Sequence, residues 1–145
     1  MEKILISACL VGDKCRYDGR SNYTPLIDKL LEKYELVPFC PEVEGGLSTP
    51  RHPSEIVKGE VRMDNDRNVT KNFVTGAELA YNICMDLGIK VAILKENSPS
   101  CGSHQIYDGT FTHKLITGKG ITATYLEKKG IRVISEEEIE QFLNE

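Results

Sequence analysis

No apolar run in this chain approaches the roughly 20 residues needed to cross a bilayer. The amino terminus, MEKILISACLVGDKC, also lacks the long apolar core and small-residue cleavage site of a secretory signal, so a cytoplasmic location is expected. Basic excess is missing as well. With 18 Lys and Arg against 22 Asp and Glu, the formal charge of -4 gives no sign of a surface built for nucleic-acid backbone. Linkers, low-complexity tracts and long internal repeats are absent, though YDG occurs twice, at Tyr17–Gly19 and Tyr107–Gly109. Cysteines are odd in number, five, which makes poor material for disulfides in a reducing compartment and better material for metal, catalysis or core packing. What remains is 145 residues, 40% of them hydrophobic, enough to bury a core within one domain spanning residues 1–145.

Strand-like and helix-like segments alternate along the chain. Apolar runs predict strands at Lys3–Ala8, Leu36–Phe39, Ile89–Leu94 and Ile131–Ile134. Helical spacing marks the segment after Pro25, the long run Lys71–Leu87 with Thr70 as its cap and Gly88 as its stop, and a helix ending near Lys129. Ser135 and Glu138 form a capping box for a last helix. Three prolines and two adjacent glycines make the stretch from Pro41 to Pro53 a shaped loop, after which Pro53 opens a helical turn through Val57. Short β-like pieces flank an Asn/Asp turn in KGEVRMDNDRNVT, and the polar segment from Lys95 to Gly109 is expected to be loop. This alternation predicts a three-layer, Rossmann-like α/β domain whose mainly parallel sheet has about four strands, the first lying between the second and third.

Cys9, Cys40 and Cys101 each follow one of the apolar runs. Loops beyond the carboxyl ends of parallel strands meet at one sheet edge, so a shared three-thiolate metal site follows, with one position left open. Thiolates suit either zinc or an iron-sulfur cluster, and the long spacing excludes compact zinc-knuckle and ferredoxin patterns. Buried core thiols are the competing reading. Pro41 after Cys40, and Pro99 and Gly102 around Cys101, favour the site. Cys84 lies on the apolar stripe of the long helix and reads as core, whereas Cys15 suits a spare ligand, a redox partner or no role.

Four ordered segments, SACLVGDKCRYDG, PFCPEVEGGLSTPRHPSEI, AILKENSPSCGSHQIYDGTF and GKGITATYLEKKGIRV, resemble a family of short bacterial and archaeal proteins whose characterised members are thiouracil desulfidases. The resemblance implies that Cys9, Cys40 and Cys101 hold a [4Fe-4S] cluster whose fourth iron is free for substrate sulfur. It implies a non-redox, hydrolase-like desulfuration of a small thiolated pyrimidine or nucleotide, with water attacking the ring carbon; from hydropathy and charge, no membrane partner is expected, and the acidic balance argues against a large nucleic-acid partner without excluding a focal basic patch. Glu42, two residues past Cys40, is then the candidate for activating water, against the plainer reading of a solvated loop acid. Ser98 and Ser100 are candidate donors to substrate or cluster, or else turn hydroxyls. Gly45 and Gly46 would allow close approach of backbone amides to the cofactor. Ser48 stands where the family carries proline before TPR. Tyr17 and Arg51 offer stacking and hydrogen bonds to a pyrimidine, Lys95 and Glu96 a mutual pair or a pocket rim, while His52, His104 and His113 carry little weight.

Other readings of the same residues are sulfur transfer to or from a nucleotide or RNA, and a non-catalytic metal-binding or redox-sensing domain using Cys15. TGKGIT before a helix offers a weaker possibility, a phosphate-binding loop, although it lacks the spacing of either standard glycine fingerprint.

Overall fold

The apolar runs become the centre of the molecule in the computed structural model, which describes residues 1–145. In chain order the elements are β1 (Glu2–Ser7), α1 (Ile27–Leu31), β2 (Tyr34–Phe39), α2 (Pro41–Glu44), β3 (Ser54–Val57), β4 (Glu60–Met63) and α3 (Thr70–Leu87). There follow β5 (Val91–Leu94), β6 (Gln105–Tyr107), β7 (Leu115–Thr117), α4 (Ile121–Lys128), β8 (Arg132–Ser135) and α5 (Ile139–Leu143). Four strands form a parallel sheet in the order β2-β1-β5-β8, so β1 lies between β2 and β5 as expected.

Side chains alternate across a strand, and this sheet uses both faces. Leu5 of β1 and Ala92 and Leu94 of β5 pack with Ala80, Cys84, Ala123 and Leu126 of α3 and α4. Ile4, Ile6 and Ile93 pack on the other face with Ile27, Leu30, Ile139 and Phe142 of α1 and α5. The result is the predicted three layers, with Cys84 inside one of them. Leu5 and Ile93 are fully buried, and truncating either to alanine costs about 2–5 kcal/mol.

Pro41 to Pro53 is not loop throughout: Pro41 sits at the first helical position, where its missing N–H costs nothing, and starts the one-turn α2. Residues 54–57 are strand rather than helical turn. Two residues, Lys58 and Gly59, both at positive φ (50° and 81°), turn β3 back onto β4, and β-branched Ile56 and Val57 suit that ladder. Thr70 is the first residue of α3, not its cap; its hydroxyl accepts the Val61 amide of β4 at 2.9 Å, while the Asn68 side chain accepts the Thr70 amide. Gly88 ends the helix in the left-handed region, and the Ser135/Glu138 capping box forms. The segment after β5 contains β6, paired with β7 in a second antiparallel hairpin.

One glycine contact connects the fold to the site. A Cβ on Gly76 of α3 would lie 2.0 Å from the Pro41 carbonyl oxygen, and one on Gly45 would lie 2.1 Å from the Asn72 carbonyl oxygen. Backbone therefore rests on backbone where α2 crosses α3, and the Asn72 carboxamide adds a 2.9 Å bond to the Gly45 carbonyl. This contact sets the position of Cys40 and Glu42 at the start of α2.

Candidate active site

The carboxyl ends of β1, β2 and β5 open onto a cavity of about 410 Å³. Winding reverses between β1 and β5, and such a switch point is where open α/β sheets bind ligands. Cys9 enters from the 3-10 turn Ala8–Val11 after β1, Cys40 follows β2 directly, and Cys101 comes from the tight turn after β5. All three line the cavity, joined by Cys15 from the first loop.

Cys15 lies within hydrogen-bond reach of both Cys9 and Cys40. Its thiol beside theirs drives its own pKa up and lowers those of its two neighbours, that of Cys40 to about 7, and the Cys40 sulfur lies 3.9 Å from the Cys15 carbonyl oxygen. The Asn22 carboxamide, 3.3 Å from the Cys9 sulfur, assists at Cys9, and the Val43 amide and Arg51 charge assist at Cys40. Burial pushes the Cys101 thiol up, partly offset by the Ser7 hydroxyl. The pocket thus lowers the pKa of two of its thiols and places donors beside its sulfurs, as metal-ligating sulfurs require. No three His, Cys, Asp or Glu side chains close round one point as ligands of a single ion would.

Beside Cys40, the Glu42 side chain is only 17% exposed. Burial raises its pKa above the usual carboxylate range, and Arg51, whose Nε lies 3.3 Å from Oε1, opposes the rise. Arg51 is itself almost fully buried and spends its other donors on the carbonyls of Cys15 and Ser48 and the Thr49 hydroxyl. It is a strut between the first two loops, with four of its five N–H donors engaged within the protein.

Ser98 lines the cavity, and its oxygen accepts the amides of Ser100 at 3.0 Å and Cys101 at 3.1 Å. Its own proton is therefore free to be donated. Ser100 has gone elsewhere: fully buried and away from the cavity, its hydroxyl pairs with Thr122 of α4 at 2.7 Å. Gly45 and Gly46 also stand off the cavity, at the α2–α3 crossing. The first amides of α4 bond the carbonyls of Pro99 and Ser100, so the TGKGIT helix entry spends them on holding the Cys101 turn.

Lys95 and Glu96 do not pair side chain to side chain. The Lys95 ammonium meets Glu136 at 2.7 Å. Glu96, although burial would raise its pKa, is held at about 2 by hydrogen bonds from His104, Gln105 and Asn97. Its Oε1 also takes the Ser103 amide at 2.9 Å, so this one carboxylate organises the chain after Cys101. His104 is thus an exposed partner of Glu96, and His52 pairs with Asp64 at 2.7 Å.

The outer wall is the part that sequence reasoning missed. Glu55 of β3 accepts the amides of Gly109 and Phe111, tying the β6–β7 hairpin to β3. Tyr107, Phe111 and His113 of this segment line the cavity, as does Tyr17 of the first loop. The YDG repeat was the available signal, because both of its tyrosines line the cavity.

Residues 4–138 match the model of the 2-thiouracil desulfurase family. An uncharacterized protein of Bacillus subtilis (strain 168), YbbK, is 42% identical over 97% of this chain and 99% of its own length. A solved structure described as a [4Fe-4S]-dependent thiouracil desulfidase, TudS, superimposes with a TM-score of 0.92 at 44% identity, covering 97% of this chain and 95% of that one. With strand-end thiols on a switch-point cavity and a match running through all of them, the chain belongs to the 2-thiouracil desulfurase family.

Proposed function

We propose that this protein, as one domain over residues 1–145, removes sulfur from a thiolated pyrimidine such as 2-thiouracil, with Cys9, Cys40 and Cys101 holding a [4Fe-4S] cluster. The overall change is hydrolytic: thiouracil and water give uracil and hydrogen sulfide, with no net electron transfer. The observation that carries this reading is the meeting of three strand-end thiols with a buried carboxylate and a free hydroxyl proton at one cavity. Three thiols at one cavity suit a cluster that keeps one iron open for the substrate sulfur.

When bound, such a cluster supplies a Lewis-acidic iron that polarises the carbon–sulfur bond and accepts the sulfur. Glu42, its basicity raised by burial, takes a proton from the attacking water. Arg51 fixes that carboxylate in place. Ser98 donates its hydroxyl proton in a hydrogen bond to the reacting end of the substrate. Tyr17 and the aromatic residues of the outer wall cover the ring and limit water at the site.

The test is an anaerobic assay of the reconstituted protein with 2-thiouracil, following uracil and sulfide together. Equimolar release without added reductant supports the proposal. A need for reductant, or sulfur retained on a protein thiol, would replace it with redox or sulfur-transfer chemistry.

A further inference from the structure

Buried polar atoms in folded proteins nearly always have hydrogen-bond partners, so an orphan needs a reason. Here two side-chain atoms are buried and unpartnered: the Ser54 hydroxyl and the Asn97 side-chain oxygen. Both residues line the cavity that holds the thiols. They come from different elements, Ser54 opening β3 and Asn97 lying just beyond β5, so one local packing fault does not account for both.

Each is also firmly placed. Ser54 is 9% exposed and sits in ladder register with Met63. Asn97 holds a left-handed backbone (φ 70°), a conformation asparagine tolerates better than most residues, and bridges to Ile106. Neither side chain makes any hydrogen bond that would explain its identity. Serine needs only a rotamer step, and asparagine a turn of its terminal torsion, to meet a ligand edge.

We infer that Ser54 and Asn97 recognise the amide edge of the pyrimidine, Asn97 accepting the ring N–H and Ser54 donating to the ring carbonyl beside it. The assignment rests on the pyrimidine reading above. An –NH–C(=O)– edge needs one acceptor and one donor side by side, which these residue types supply. A site built with such groups discriminates strongly, since a ligand lacking the edge leaves them unpaired. The pair therefore determines specificity, and the thiols, Glu42 and Ser98 carry the chemistry.

Stability separates this role from a structural one. Removing an orphaned group breaks no bond within the protein, so Ser54→Ala leaves the melting temperature unchanged or raises it. Asn97→Gly keeps the left-handed backbone accessible while deleting the carboxamide. The experiment is calorimetric titration of uracil into wild-type, Ser54→Ala and Asn97→Gly holoprotein, with melting temperature, iron content and steady-state kinetics on 2-thiouracil measured on the same samples. The expected result is uracil binding weakened, and KM raised, about tenfold or more in each variant, with kcat changed far less and iron content and melting temperature maintained. Uracil affinity equal to that of wild type, no uracil binding by wild type, or a Ser54→Ala protein that melts well below it would overturn the inference. Wild type that binds uracil yet releases no sulfide from thiouracil would refute the proposed reaction and leave the recognition pair standing.

Discussion

The Ser98 hydroxyl oxygen accepts the Cys101 amide at 3.1 Å, so a candidate proton donor and a candidate ligand are held by the same turn. Ser98→Ala removes that bond and the one to Ser100, costing about 1–3 kcal/mol in denaturant unfolding. It also lowers kcat about 100-fold or more in the sulfide-release assay, whereas Ser98→Thr, which retains the hydroxyl, recovers much of both losses.

With Glu42 as the proposed base, its titration should set the acid limb of the rate profile. Burial raises its pKa from an ordinary value of 4.5, so the basic form is depleted at higher pH than for a solvated glutamate, and kcat falls as pH drops through that raised value. Glu42→Gln lowers kcat by about 10²–10⁴-fold and removes this limb. Iron content unchanged in that variant separates a proton-transfer role from a structural one.

Glu96 gives a pH dependence to stability with the opposite sense. Its folded pKa of about 2 lies below the ordinary 4.5, so its contribution is present above pH 4.5 and is lost as pH falls from there toward 2. Urea midpoints of wild type should fall over that interval, and those of Glu96→Gln should fall less. A wild-type curve flat across the interval would remove Glu96 from the account of how the Cys101 segment is ordered.

Gly76→Ala tests how α2 is positioned. The added carbon meets the Pro41 carbonyl oxygen at 2.0 Å, so α2 must move away from α3, at a cost of about 1–3 kcal/mol or more. Because Cys40 and Glu42 begin α2, activity should drop more than stability alone explains, as seen by assaying well below the melting temperature.

Much of this was open to sequence reasoning, for identifiable physical reasons. The strands of the parallel sheet are buried on both faces, so Ile4–Ile6 and Ala92–Leu94 appear as unbroken apolar runs, and thiols just beyond them fall at one edge. Cys84 is legible because α3 has a long enough apolar stripe to place it. The hairpins are less visible. β7 is exposed at every position and β6 is three residues long, so neither shows periodicity. Their place at the cavity depends on Glu55, whose partners lie 54 and 56 residues away. Ser100 and Gly45 illustrate a different limit: motif proximity to a thiol says nothing about which way a residue faces, and these two pack on α4 and α3.

The most direct measurement is iron and acid-labile sulfide per chain after anaerobic reconstitution, with zinc measured on the same samples of wild type, Cys9→Ser, Cys40→Ser, Cys101→Ser and Cys84→Ser. The account predicts about four irons and four sulfides in wild type and in Cys84→Ser, with only stability lowered in the latter, and loss of both elements in the other three. Stoichiometric zinc without sulfide, or a full cluster surviving the loss of Cys9, Cys40 or Cys101, would contradict it.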